Sequence, residues 1–218
     1  MNRRRSSGTS ARTGSCAGKQ ERRQIVGTTS EAIHRAAAAI RNADRLIVAA
    51  GAGMGVDSGL PDFRGPKGFW RAYPPYEKLG LKFTDLANPS WFRDDPALAW
   101  GFYGHRFELY RKTIPHGGFS LLKKWADSTP RGAIVFTSNV DGQFQRAGFD
   151  ENFIVECHGS LNWLQCTGFC RSGIWPVDAS ITAIIDLDEE SMRARKPFPA
   201  CLTCGALARP NVLHLGPG

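Results

Sequence analysis

No stretch of this 218-residue chain is apolar for long enough to cross a bilayer, and no apolar core of the secretory kind stands behind the arginines near its start. Those absences predict a protein that no membrane holds, acting in the cytoplasm. A mitochondrial location is the alternative, with the Arg-rich, Ser-rich and acid-poor start as a transit peptide. Carboxylates are scarce there: Glu21 alone opposes Arg3, Arg4, Arg5, Arg12, Lys19, Arg22 and Arg23. Most of the net charge of +8 therefore belongs to a tail, and nucleic acid is not an expected partner. Residues 1–27 also lack apolar periodicity and read as a disordered basic tail. Beyond it, 42% hydrophobic residues suffice for a core, which excludes disorder throughout and suggests one domain carrying a small insert.

The run Leu46-Ile47-Val48-Ala49-Ala50 reads as a buried strand, and it meets a loop rich in glycine, Gly51 to Gly65. A strand-to-glycine junction is where a parallel α/β sheet receives a nucleotide phosphate. Gly51 and Gly53 permit backbone angles closed to other residues and a close approach to a pyrophosphate, and Arg64 offers a rigid fork for its oxygens. A third glycine is missing: Val56 stands in its place, and no carboxylate ends a second strand about 20 residues on, which disfavours a simple hydride-transfer enzyme. Asp57-Ser58-Gly59 has no patterned base and orienting acid for a protease triad, so Ser58 is read as satisfying turn amides.

Thr28-Thr29-Ser30-Glu31 has the form of a capping box, and Ile33, Ala36, Ala37, Ile40 and Ala43 then recur at helical spacing ahead of the first strand. Pro61, Pro66, Gly68, Pro74 and Pro75 predict a long loop through Tyr76, with Phe63, Phe69, Trp70 and Tyr73 as anchors. Helices are predicted over about 96–110 and 117–126, their aromatics serving as packing. Ala133 to Phe136 and Phe153 to Glu156 read as further buried strands, a short helix is predicted over Asp188 to Arg195, and a strand over Ala208 to Gly216. Polar residues gather just past the strand ends, in Thr137-Ser138-Asn139-Val140-Asp141 and Cys157-His158-Gly159-Ser160. Ligands bind at that edge of open α/β sheets. Cys157 and His158, adjacent on a strand, would face opposite ways, and Cys157 is read as a small core residue.

Cys166, Cys170, Cys201 and Cys204 form two close pairs. Their spacing fits a tetrahedral four-thiolate zinc site that fixes a small insert, with disulfides as the blander alternative.

Taken in order, the glycine loop, Thr137 to Asp141, His158-Gly159-Ser160 and the cysteine pairs resemble the sirtuins, NAD-dependent protein lysine deacylases, in the bacterial style of Val140-Asp141-Gly142-Gln143-Phe144-Gln145. The resemblance covers about residues 31–218. It implies an α/β fold: a Rossmann-like parallel sheet, incomplete at the C-terminus, with a small four-cysteine zinc-binding module. The implied division is 1–27 as tail, 28–160 with 207–218 as the NAD-binding domain, and 161–206 as the zinc module. Gly51, Ala52, Gly53, Phe63 and Arg64 become cofactor-loop contacts. Ser138, Asn139 and Asp141 become the ribose and nicotinamide pocket, and His158 the general base acting with Asn139 and Asp141. An acyl-lysine protein or peptide is the implied partner, NAD the cosubstrate and zinc the structural metal; no pattern sets an oligomeric state. The acyl oxygen would displace nicotinamide, and His158 would help a ribose hydroxyl attack the resulting imidate, leaving free lysine and O-acyl-ADP-ribose. An imidazole suits that role because its basic form is abundant at neutral pH.

Blander roles stay open: a structural His158, a turn-capping Asn139, a helix-capping Asp141. The cluster Phe69 to Tyr73 is compatible with an acyl channel, a cofactor cover or plain loop anchors. Two residues depart from the family pattern, Gly55 where serine is usual and Ser138 where glutamine is usual. The family would also continue past Gly218 with further strands and a Gly-Thr-Ser type turn for the adenosine half of NAD. A sheet truncated there is expected to expose edges and apolar faces and to be unstable, aggregation-prone or rescued by a partner. Two other functions therefore stand beside the deacylase: a non-catalytic zinc-containing binding module, and an NAD-consuming ADP-ribosyl transferase or hydrolase.

Overall fold

The computed structural model describes residues 28–61, 65–178, 185–188 and 190–213. The basic tail, Phe63 and Arg64 lie outside the described residues, as do Glu189 and the end of the last predicted strand from His214. The chain falls into two compact units, Met1–Ala37 and Ala38–Gly218. In the first, the capping box forms as expected: Thr28 N–H donates to Glu31 Oε2 at 2.9 Å and Glu31 N–H to Thr28 Oγ1 at 3.3 Å. It opens helix α1, Thr29–Arg41, which buries no residue; Ile33 is 62% exposed, so the periodic apolar residues do not make a core stripe.

The elements that follow are β1 (Leu46–Ala50), α2 (Gly53–Val56), α3 (Gly65–Ala72), α4 (Pro74–Lys78), α5 (Phe83–Leu86), α6 (Trp91–Asp94), α7 (Pro96–Lys112), α8 (Gly117–Ser128), β2 (Ala133–Thr137), α9 (Gln143–Arg146), β3 (Ile154–Glu156), β4 (Gly159–Cys166), β5 (Ile174–Pro176), β6 (Asp186–Asp188), β7 (Arg193–Arg195) and β8 (Ala208–Val212). Strands β1, β2 and β3 form a parallel sheet in that order, with Val48 opposite Val135 and Val135 opposite Ile154. These residues share one face, and a cluster of Phe119, Phe144 and Phe149 packs against it. The other face carries Ile47, Phe136 and Val155, exposed by 78%, 50% and 47%. Parallel sheets usually have both faces covered, whereas this one leaves three large apolar side chains open on its second face.

A second, antiparallel sheet has the order β5-β4-β8, and β4 runs from the turn bearing His158 to Cys166, physically joining the two predicted sites. Helix α7 is the spine of the larger core. Asp95 caps it by accepting from Leu98 N–H at 3.2 Å, and Pro96 occupies the first turn, where its missing N–H costs nothing.

Three local expectations are corrected. The proline-rich segment through Tyr76 is no open loop: α3 and α4 bury Phe69, Tyr73 and Tyr76, which pack with Phe102 of α7, and Pro74 opens α4 instead of breaking it. Asp188 to Arg195 is no helix. It is part of the hairpin β6–β7, which lies on α7 where Gly101 and Gly104 leave room and is braced by Arg193 with Asp95 (2.5 Å) and Arg195 with Asp186 (3.2 Å). Cys157 is an exposed turn residue, because the chain leaves β3 one residue earlier. Among the described residues, no helix is long and apolar enough to cross a membrane.

Candidate functional site

The carboxyl ends of β1, β2 and β3 open onto one place, and hydrogen bonds from side chains and main chain fix its floor. Thr137 Oγ1 donates to Ala50 O at 3.1 Å and accepts from Asn139 N–H at 3.0 Å; Ser138 N–H reaches the same Ala50 carbonyl at 3.2 Å. Asn139 Nδ2 then donates to Gly51 O at 3.0 Å, so the loop after β2 holds the loop after β1. The turn at His158 is held from two sides: Cys157 N–H donates to Thr137 O at 2.9 Å, and Leu213 N–H to His158 O at 2.8 Å. Gly159 has φ +75°, and a Cβ there would fall on the Asn211 carbonyl of β8, so glycine is required for this turn to lie against the strand.

These loops border a cavity of about 320 Å³. Ala52, Ser138, Asn139, Asp141 and His158, all named from the sequence, line it. Gly51 and Gly53 instead border a hollow of about 680 Å³ along β1, and neither adopts a positive φ; within this loop that conformation falls to Gly59, at +86°. At Gly55 a Cβ would lie 3.0 Å from Cδ1 of Leu60, a tight contact that this leucine, itself lining the cavity, would relieve by a small shift. Among the described residues, Ser58 satisfies no turn amide of its own loop but accepts from His116 N–H at 3.0 Å.

Asp141 accepts from Gln143 N–H at 3.0 Å at the entrance to α9, and burial pushes its carboxyl above the usual range despite the opposing pull of Arg106. Glu156, at the end of β3, is also raised, chiefly by burial.

Tyr103, Arg106 and Tyr110 of α7 complete the wall and were not singled out from the sequence. Arg106 is buried, its Nε and Nη2 donating to Tyr110 Oη at 3.1 and 2.8 Å, with its guanidinium over the rings of Phe83, Phe102, Tyr103 and Tyr110 at 5.2–5.9 Å. Burial pushes the Tyr103 phenol up to about 12, so it remains a neutral donor at physiological pH. The available signal was an arginine inside an otherwise aromatic helix face, Phe102, Tyr103, Arg106, Phe107 and Tyr110, at helical spacing.

The four cysteine sulfurs lie within 4.8 Å of one another, with Cys166–Cys204 and Cys170–Cys201 contacts of 3.5 Å, too long for disulfides. Tetrahedral zinc with bonds of about 2.3 Å places its thiolates about 3.8 Å apart. Gly168 N–H donates to Cys166 Sγ at 3.2 Å, which helps to orient that sulfur. The donor set fits zinc, in a closed structural site with no open position for chemistry.

The Sir2 family model matches residues 51–218. The chain is similar to NAD-dependent protein deacylase 2 of Pyrobaculum aerophilum, 36% identical over 171 residues, covering 78% of this chain and 58% of that protein. It is likewise similar to the NAD-dependent protein deacylase of Aeropyrum pernix (32% over 186 residues; 85% and 65%) and to mitochondrial sirtuin-5 of Danio rerio (31% over 185 residues; 80% and 57%). It thus spans less than two thirds of the length of these relatives. Among solved structures, a Sir2 homolog in complex with NAD aligns with a TM-score of 0.62 at 28% identity, covering 83% of this chain and 61% of that one. A Sir2 homologue in complex with ADP-ribose aligns at 0.61 and 30%, covering 84% and 64%. The likeness supports the Rossmann-like assignment of the parallel sheet.

Proposed function

Because this chain belongs to the Sir2 family, we propose that it is an NAD-dependent protein lysine deacylase that moves the acyl group of a protein or peptide lysine onto ADP-ribose and releases nicotinamide. The observation that carries this is the gathering of Ala52, Ser138, Asn139, Asp141 and His158 from three strand ends around one cavity. The acyl oxygen attacks the glycosidic carbon of NAD as nicotinamide leaves, with Asn139 and Asp141 orienting ribose and nicotinamide. His158, held on its turn by two backbone bonds, takes the proton of a ribose hydroxyl as that oxygen attacks the imidate. Water then enters, and free lysine and O-acyl-ADP-ribose separate. Gly51, Ala52 and Gly53, with Phe63 and Arg64, receive the pyrophosphate in this reading, and Ser138 the ribose side.

Arg106 gives the acyl group a sign. A buried guanidinium in the cavity wall, beside the neutral Tyr103 hydroxyl, suits an acyl chain ending in a carboxylate better than a bare acetyl group. Zinc would be held by Cys166, Cys170, Cys201 and Cys204 and would supply structure only. The same reading assigns residues 1–27 to a tail, 28–160 with 207–218 to the NAD domain and 161–206 to the zinc module. It sets the protein in the cytoplasm, where thiols stay reduced, with a mitochondrial site as the alternative.

The test is mass spectrometry of the products formed from NAD and acetyl- or succinyl-lysine peptide, with His158→Ala as control and zinc measured on the same folded sample. O-acyl-ADP-ribose that disappears in the variant is the expected result. ADP-ribose formed without dependence on acyl peptide would make the protein a transferase or hydrolase, and no NAD consumption by folded, zinc-loaded protein would leave a binding module.

A further inference from the structure

His116 lies outside the cavity, yet its bonds converge on the loop that begins the cofactor site. It caps α8, with extended backbone at φ −69° and ψ 169°, and its Nδ1 accepts from Gly118 N–H at 3.0 Å. Its Nε2 lies 3.0 Å from Met54 O. A backbone N–H only donates and a carbonyl only accepts, so the two contacts together require one neutral tautomer, with the proton on Nε2. The main-chain N–H of the same residue donates to Ser58 Oγ at 3.0 Å. The residue that caps α8 therefore holds α2, the short helix that carries the chain from Gly53 onward, at Met54 within it and at Ser58 just past its end.

The ring has little freedom to lie elsewhere. It meets the Phe119 ring edge-to-face, 5.1 Å between centroids, and Phe119 is fully buried. A Cβ on Gly118 would collide with the imidazole, so glycine two residues on is a condition of this placement. Helix α2 buries only Gly55 fully and reaches the Phe119 cluster through the half-buried Met54 alone, so the bonds from His116 add to a small packing contact. Helix caps are ordinarily short oxygen-bearing side chains; an imidazole performs the capping with one nitrogen and retains a second arm long enough to reach Met54.

We infer that His116 is a positioning residue: through Met54 O and Ser58 Oγ it holds α2, and hence the loop at the end of β1, in the geometry that NAD requires. This rests on the reading of that loop as the NAD site, and the experiment separates the two. His116→Asn retains an oxygen that caps Gly118 N–H but is too short to reach Met54 O. Amide hydrogen exchange of residues 53–58 is measured in the free wild type and variant, alongside NAD binding by calorimetry and steady-state kinetics.

Removing one net hydrogen bond predicts roughly three- to tenfold faster exchange across residues 53–58 and a comparable rise in KM for NAD. The KM for acyl peptide and the melting temperature stay close to wild type, and kcat changes by less than about twofold. Ser58→Ala is expected to move NAD in the same direction. Exchange unchanged in His116→Asn overturns the inference, as does an equal loss toward NAD and peptide. Faster exchange in the variant with no NAD binding by the wild type would retain the clasp and sink the NAD reading instead.

Discussion

Replacing Arg106 by methionine removes the buried cation from the cavity wall while keeping most of the apolar stem. A charge-assisted hydrogen bond contributes about 1.5–3 kcal/mol, so the loss toward a carboxylate-ended acyl-lysine should be about 10- to 150-fold in kcat/KM. The structure places the effect toward the upper end, because Arg106 is buried and four aromatic rings exclude water from its flank. Acetyl-lysine has no charge to lose and should change little. Stability should fall by about 1–3 kcal/mol, since Tyr110 Oη loses its partner. Arg106→Lys keeps the charge without the fork and should recover only part of the discrimination. The assay compares kcat/KM on succinyl- and acetyl-lysine peptides of one sequence for wild type, Arg106→Met and Arg106→Lys. Equal losses on both peptides would refute the reasoning and make Arg106 a packing residue; so would a wild type that prefers acetyl.

Gly101→Ala would raise helix propensity by about 1 kcal/mol in an open helix, but here the new Cβ lands on the Met192 carbonyl and 2.8 Å from Arg193 Cα. Since backbone cannot move aside cheaply, a net destabilisation of about 1–3 kcal/mol is expected in thermal or urea unfolding, whereas Gly117→Ala, with open space around it, should cost little. Stripping zinc with a chelator, or Cys201→Ser, should lower the melting temperature and speed amide exchange in β4 and β8, with stoichiometric metal release read by a colorimetric indicator. Asp141 has a folded pKa above its unfolded one, so its contribution favours the fold at low pH and is lost as pH rises through the folded value. Asp141→Asn should therefore flatten the decline of stability over that window and raise the melting temperature at neutral pH, at the expense of NAD turnover.

Several features were legible locally because they depend on short-range periodicity and on residue chemistry. The strand ending at Ala50, the capped helices beginning at Thr29 and Pro96, and the strand into Thr137 all follow from spacing. The cysteine pairs announced their own cluster, since four thiols at that spacing have few other uses without disulfides. Polar residues just past apolar strands located Asn139, Asp141 and His158 at one edge, because a parallel sheet turns all its carboxyl ends the same way.

What the sequence could not show depends on partners far along the chain. Pro66 and Pro74 look like breakers, but proline is harmless in a first helical turn, and burial of Phe69, Tyr73 and Tyr76 against α7 then favours helix. The charged segment from Asp186 to Arg195 pairs as a hairpin that fits on α7 because Gly101 admits its backbone at Met192 and Arg193 and Gly104 admits the Ile185 and Leu187 side chains. Arg106 of α7 shares a cavity wall with Asn139 and His158 from the strand ends, and His116 meets Ser58 across 58 residues of chain. The sequence by itself thus determined the parallel strands, the edge at which their polar ends gather and the four-cysteine cluster, all carried by local pattern. Tertiary structure alone decided which side chains share the cavity, since that choice lies in long-range packing that no local period encodes.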